Sequence, residues 1–146
     1  MKRLCLLAMS WLLLLSVPAW AADTHVALVK QVSGRVTVLR QGQTLEAAGG
    51  TQLQVTDRIL AAPDASAGVV FKDGTLLTLG GNADVLVRDY VFEPKAGKYA
   101  FSLYMTKGSA IYESGKIGKL APASVKVETP KATVGVRGTR FLIEAN

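Results

Sequence analysis

The sequence has almost no cysteine or histidine, and this shortage excludes most catalytic and metal-binding chemistry. Its 146 residues include one cysteine, Cys5, and one histidine, His25. Zinc sites built from clusters of these residues therefore cannot form, and neither can an internal disulfide. A Ser-His-Asp or Cys-His site would depend on His25, which lies near the N-terminus, where residues are often loosely held. The sequence therefore predicts no metal site and no histidine-dependent catalysis.

Acidic residues and glycine-rich loops also lack a catalytic pattern. A glycosidase needs only a pair of carboxylates, but the acidic side chains are spread thinly along this chain. No glycine-rich loop precedes a predicted helix, as a phosphate-binding loop would. We therefore predict no catalytic residue, no cofactor and no metal ligand, and we expect that the protein is not an enzyme. A hydrolase with a carboxylate pair is the remaining enzymatic alternative.

What the chain does have at its start is an export signal. Lys2 and Arg3 form a short positive region, Leu4–Val17 is almost wholly apolar, and small residues precede the bond between Ala21 and Ala22. This pattern is typical of a secretory signal peptide, and the apolar run is shorter than the roughly 20 residues that span a bilayer. We predict a signal peptide at residues 1–21, a mature domain at residues 22–146 and no membrane span after cleavage. An uncleaved membrane anchor is the alternative.

Basic residues only modestly outnumber acidic ones. The chain has 17 Lys and Arg against 11 Asp and Glu, and leaving out Lys2 and Arg3 gives 15 against 11, a net charge of +4. No basic run is present, so we predict no nucleic-acid partner. The mild positive excess, together with Tyr90, Tyr99 and Tyr104 as exposed aromatic candidates, supports binding of peptidoglycan or envelope polysaccharide as one alternative function.

Short apolar segments separated by turn signals fill the mature chain. They are rich in β-branched and aromatic residues, and no segment after residue 22 has a convincing helical pattern. The spacing predicts an all-β domain of about ten or more short strands, arranged as a two-sheet sandwich, a roll or an irregular solenoid. The polar, glycine-bearing stretch Ser114–Ala123 is predicted to be a loop.

The clearest local signal is a hairpin turn at Asp73 and Gly74. Strand-like runs lie on both sides of this pair, at Val69–Phe71 and Leu76–Leu79. An Asp-Gly pair favours the positive φ values of a two-residue hairpin turn. We therefore predict that Asp73 and Gly74 connect two antiparallel strands.

The next strand alternates over residues 85–92. The alternation assigns Tyr90 to the same face as Arg88, opposite Val85 and Val87. Asp89 interrupts the apolar face, which indicates a bulge or the exposed end of the strand.

The last two dozen residues predict three closing strands around two breaks. Residues 125–128 alternate, and Pro130 removes a backbone donor and ends that ladder. A β-branched run resumes at residues 133–136, and Gly138 permits a tight turn or bulge before Phe141.

The two arginines of this turn allow two interpretations. Arg137 and Arg140 flank Gly138 and Thr139, so the turn could present a guanidinium and a hydroxyl to an anion. We favour the other interpretation, in which Arg137 pairs with a carboxylate or with strand-end carbonyls and holds the turn.

The closing segment resembles the FecR-type periplasmic domain. It contains Thr-Pro-x-Ala-x-Val-x-x-Arg-Gly-Thr-x-Phe from Thr129 to Phe141. Gly34-Arg-Val36, Phe71-Lys-Asp-Gly-Thr-Leu76 and the strand from Leu103 through Gly108 precede it in the family's order, so the resemblance spans roughly residues 30–145. The motif residues, which we interpret as structural, are Thr129, Pro130, Ala132, Arg137, Gly138, Thr139 and Phe141.

The resemblance implies an exported all-β domain of the periplasm with no catalytic activity. In full-length regulators this domain passes a signal from an outer-membrane receptor to a cytoplasmic sigma factor. This sequence has no cytoplasmic segment, internal transmembrane helix or later domain of that layout, so we expect the periplasmic module alone. Our leading hypothesis is a non-enzymatic interaction domain, an accessory in cell-envelope signalling or assembly, whose partner is an envelope or membrane protein.

Overall fold

A computed structural model of the protein describes residues 24–136 and 138–146. The predicted signal peptide at residues 1–21, with Cys5 and the expected cleavage site before Ala22, lies outside the described residues. Arg137 lies outside them as well, so its predicted role in the closing turn stays a prediction.

Most of the described chain is strand, which confirms the all-β prediction. The strands are β1 Ala27–Ser33, β2 Val36–Arg40, β3 Gln43–Glu46, β4 Gln52–Leu53, β5 Arg58–Ala61, β6 Ser66–Phe71, β7 Leu76–Leu79, β8 Asp84–Glu93, β9 Lys98–Glu113, β10 Val125–Glu128, β11 Thr133–Gly135 and β12 Arg140–Ala145.

The long strand β9 joins the strands into one curled, half-barrel sheet in the order β3-β2-β5-β8-β9-β7-β6-β1-β4. Its first part pairs with β8 on one side and runs parallel to β10 on the other, and its second part pairs with β7 and β12. β11 adds to β10. The described strands thus form one continuous sheet, and the two-sheet arrangement among our predictions is not observed.

One hydrophobic core connects the two halves of the sheet. Val87 and Leu103 of the first half and Leu77 and Leu79 of the second are at most 2% exposed. Each buried side chain of this kind stabilises the fold by roughly 1.5–3 kcal/mol. Alternation along each strand supplies these residues, as the sequence pattern predicts.

A bulge at Arg88 changes the buried face of β8. Val87 lies opposite Leu103 and Asp89 lies opposite Ser102, so Arg88 is the extra residue. The prediction of a bulge beside Asp89 is confirmed. The predicted face of Tyr90 is wrong, because the bulge rotates this side chain into the core, where it is 7% exposed.

The predicted loop Ser114–Ala123 contains a short helix, which corrects the expectation of no helix. Helix α1 spans Lys116–Leu120, and single 3-10 turns lie at Pro94–Ala96 and Pro122–Ser124. Ile117 anchors α1 in the core at 0% exposure. In the part of the chain that the structure describes, no helix is long and apolar enough to cross a membrane.

Candidate functional site

The side chain of Asp73 is the centre of a buried hydrogen-bond cluster. Its Oδ2 accepts hydrogen bonds from Thr75 Oγ1 at 2.7 Å and from the backbone N of Ile117 at 3.1 Å. Its Oδ1 accepts from Tyr90 Oη at 3.0 Å and from Thr75 N at 3.2 Å. Asp73 is 2% exposed and Thr75 is fully buried. The Asp73 cluster therefore ties the β6–β7 hairpin to β8 and to the first turn of α1.

The hairpin loop differs from the predicted two-residue turn. Phe71 N donates to Thr75 O at 2.9 Å and Gly74 N donates to Phe71 O at 2.9 Å, which closes a loop of Lys72, Asp73 and Gly74. Within this loop only Gly74 has a positive φ, at 87°. This geometry is a type I turn followed by a left-handed glycine, and it leaves the Asp73 carboxylate directed inward.

Two buried tyrosines of this region have pKa values above the ordinary value for tyrosine. Burial, followed by the charge of Asp73, raises the pKa of Tyr90. Burial also raises the pKa of Tyr112, whose hydroxyl has no hydrogen-bond partner among the described residues. A neutral Tyr90 hydroxyl remains a donor to the carboxylate, so the cluster is suited to holding elements together rather than to proton transfer.

An aromatic row links the Asp73 cluster to the closing motif. The ring centroids of Tyr90 and Phe71 are 5.4 Å apart, and Phe71 is 4.8 Å from Phe101. Phe101 is 5.7 Å from Tyr112, which stacks on Phe141 at 4.9 Å. The motif residue Phe141 is thereby packed against the core, as a structural role requires.

The motif residues Thr129 and Ala132 close the tight turn between β10 and β11. Thr129 N donates to Ala132 O at 2.7 Å, and Ala132 N donates to Thr129 Oγ1 at 3.1 Å. Pro130 lies exposed within this turn. Its missing N–H leaves no donor unpaired there.

Ser114 holds the turn that follows β11. Its Oγ donates to Gly138 O at 2.8 Å and its backbone N donates to Thr139 O at 2.8 Å. Gly138 has a φ of 132°, which strongly favours glycine, and Thr139 is exposed. The turn is thus fixed to the end of β9 through backbone carbonyls.

The segment that contains this motif also lines an open groove beside α1. The α1–β11 groove has a volume of about 710 Å³, within the usual range for small-molecule pockets. Its described lining residues are mostly small: Gly118, Pro122, Ala123, Val125, Lys126, Thr133, Gly135, Val136 and Gly138. Because they include a single charged side chain, Lys126, and no carboxylate, the groove offers contact surface rather than a catalytic pair.

The aromatic candidates for polysaccharide binding do not form an exposed platform. Tyr90 is buried in the Asp73 cluster. Tyr99 is half-buried and packs against Phe92 with a centroid distance of 6.3 Å. Tyr104 is half-buried, and the guanidinium carbon of Arg88 lies 4.6 Å from its ring centroid.

Several acidic side chains are engaged in ion pairs. Asp57 is fully buried and accepts two hydrogen bonds from Arg40, at 2.9 and 2.7 Å, which raise the pKa of Arg40. Further ion pairs join Arg58 to Asp84, Arg88 to Glu128 and Arg140 to Glu113.

Arg140 Nε lies 3.5 Å from Glu113 Oε1, so this side chain pairs across β9 and β12. The interpretation in which the closing turn presents a guanidinium and a hydroxyl to an anion stays a prediction. The described residues contain no group of three or more His, Cys, Asp or Glu side chains that could hold a metal ion.

Sequence reasoning missed the partners of Asp73. Thr75 follows Asp73 by two residues, a spacing at which an aspartate side chain commonly bonds to the following backbone, and this signal was available. The roles of Tyr90 and Ile117 depend on the bulge in β8 and on a contact 44 residues away, which local patterns do not reveal.

The Asp73 cluster and the α1–β11 groove lie in a part of the chain that matches a known protein family. The model of the family described as FecR protein matches residues 57–146, which include the Asp73 cluster, the aromatic row and the α1–β11 groove. No curated protein and no solved structure matches this chain significantly.

Proposed function

Since this chain belongs to the FecR protein family, we propose that it is an exported, non-enzymatic interaction domain that contacts an envelope or membrane protein. The family has a role in envelope signalling. Within that role, the protein would act as an accessory in signalling or assembly through protein–protein contacts.

The observation that carries this proposal is the position of the family motif. The segment that contains the motif does not only close the core: the motif residue Gly138 and the intervening residues Thr133 and Gly135 also line the open α1–β11 groove. Among the described residues, β11 pairs with β10 alone, so its outer edge is unpaired. An unpaired strand edge beside a small-residue groove suits an extended segment of a partner protein, which would add backbone hydrogen bonds and place side chains in the groove.

A substitution at Gly135 tests this use of the groove. A Cβ atom at Gly135 would meet nothing within 4 Å, and its φ is not positive, so Gly135→Arg introduces bulk without backbone strain. The matched control is Gln43→Arg, at an exposed position of the edge strand β3.

Capture of envelope proteins by the purified domain is the measurement. We expect wild type and Gln43→Arg to retain the same envelope protein and Gly135→Arg to lose it, with thermal unfolding unchanged in both variants. Equal capture by all three, or capture of no envelope protein under several growth conditions, would contradict the proposal.

We also propose that the mature domain comprises residues 22–146 and lies in the periplasm. The support is the signal-peptide pattern of residues 1–21 and the usual location of FecR domains. Mass spectrometry of the protein from a periplasmic fraction should give a chain that begins at Ala22. An intact N-terminus in a membrane fraction would contradict this and would indicate an uncleaved anchor.

A further inference from the structure

Strand β12 leaves one edge of the sheet open. Among the described residues it pairs with β9 alone, from Arg140 opposite Glu113 to Ala145 opposite Gly108. Leu142, in its centre, is 59% exposed. An open edge of this kind can pair with another strand unless its residues prevent it.

The register identifies which backbone groups face the open edge. Ser114 N donates to Thr139 O, so the carbonyl of Thr139, the residue just before β12, points toward the β9 side of the strand. In an antiparallel ladder these directions alternate. Arg140, Leu142 and Glu144 therefore direct their N–H and C=O groups toward the open edge.

The same three residues carry exposed side chains in a self-complementary order. Arg140 is positive, Leu142 is apolar and Glu144 is negative, and all three are exposed. When two such strands run antiparallel with Leu142 opposite Leu142, each Arg140 lies opposite a Glu144. Directly opposite pairs of unlike charge stabilise antiparallel strands, and pairs of like charge destabilise them.

We propose that β12 pairs with β12 of a second copy of this chain, with a two-fold axis at Leu142. Each copy donates the N–H groups of Arg140, Leu142 and Glu144 to the carbonyls of its partner. Arg140, which lies 3.5 Å from Glu113, then stands between Glu113 and the partner's Glu144. The two sheets become one continuous sheet. The charge order of β12 complements β12 itself, whereas a strand of a different protein need not carry it. Charge complementation between variants of this chain distinguishes the two partners.

Charge complementation tests the pairing directly. Arg140→Glu gives two negative charges on the edge and Glu144→Arg gives two positive charges, so each variant repels itself but complements the other. By sedimentation velocity, we expect wild type to dimerise and each variant alone to dimerise about tenfold more weakly or worse. The equimolar mixture should recover the wild-type association.

Three results would overturn this pairing: wild type that remains monomeric at all concentrations, variants that dimerise as wild type does, or a mixture that does not recover. Circular dichroism of each variant checks that the fold is retained.

Disulfide cross-linking gives a second test that does not depend on charge. In a Cys5→Ser background, Leu142→Cys places two thiols on residues whose Cα atoms are about 5.5 Å apart in the pair, which suits a disulfide. Glu144→Cys is the control, because the two copies of residue 144 would lie about 14 Å apart along the strands. We expect cross-linked dimers from Leu142→Cys only. Equal cross-linking of both variants, or of neither, contradicts the proposed register.

Discussion

At the scale of single residues, Asp73 does more than form the hairpin turn that the sequence predicts. The Asp-Gly pair predicts a turn, and Gly74 provides its positive φ. The carboxylate of Asp73 accepts four hydrogen bonds from Thr75, Tyr90 and Ile117. It therefore stabilises parts of the chain that are distant in sequence, in addition to its own loop.

Replacement of Asp73 by asparagine tests this role. In wild type, both oxygens of the Asp73 carboxylate accept hydrogen bonds from buried donors. Asparagine replaces one of these oxygens by an NH₂ group, so a buried donor loses its acceptor. We expect Asp73→Asn to lower the free energy of unfolding by about 2 kcal/mol. The control Asp64→Asn, at an exposed position, should change it by less than about 0.5 kcal/mol. Urea denaturation measures both, and equal effects would show that the cluster is unimportant for stability.

The tyrosine of this cluster predicts how stability depends on pH. Burial and the charge of Asp73 raise the pKa of Tyr90 in the folded state above the unfolded value, which is about 10. The unfolded chain thus releases this proton first, and stability is complete below about pH 10 and falls as the pH rises further. Tyr112, whose pKa burial also raises, adds in the same direction.

Urea denaturation between pH 8 and 11 measures this dependence. The free energy of unfolding of wild type should fall more steeply above about pH 10 than that of Tyr90→Phe, which has no proton to lose at this position. Identical slopes for the two proteins would contradict the assigned origin of the pKa shift.

At the scale of elements, α1 is the part that the sequence does not predict. Gly115 and Gly118 favour a loop, and no side chain near Lys116 caps the helix. The carboxylate of Asp73, 44 residues earlier, accepts from Ile117 N and supplies the missing cap. The closing strands β10 to β12, in contrast, follow from local alternation, Pro130 and Gly138, and the structure contains all three.

Two substitutions on α1 separate packing from helix formation. Ile117 is fully buried and Leu120 is 61% exposed. We expect Ile117→Ala to lower the free energy of unfolding by about 2–5 kcal/mol and Leu120→Ala to change it by less than about 0.5 kcal/mol. Chemical denaturation compares the two variants. A large loss of unfolding free energy for Leu120→Ala would mean that the Leu120 side chain is buried and not exposed.

At the scale of the whole molecule, the sequence predicts the strands but not how they associate. Alternation determines which side chain faces the core only until a bulge intervenes, as Tyr90 shows. The order of strands depends on β9, which pairs with four other strands along its two parts. The α1–β11 groove likewise forms between α1 and the closing strands, so its existence could not be predicted from the motif residues alone.

The closing turn at Gly138 separates two open edges. β11 lies at the edge of one half of the sheet and β12 at the edge of the other. We assign the first edge and its groove to an envelope protein and the second to another copy of this chain. The two assignments are independent, because the substitutions that test them lie on different strands.

The contact between the α1–β11 groove and an envelope protein is the central claim, and site-specific photocrosslinking in the producing cell tests it most directly. A photoreactive residue replaces Thr133, which lines the groove, or Gln43 on β3 as the control, and both positions are exposed. We predict an adduct with one envelope protein from position 133 alone, and its loss when Gly135→Arg is added. No adduct at position 133, or the same adduct from both positions, would contradict the claim.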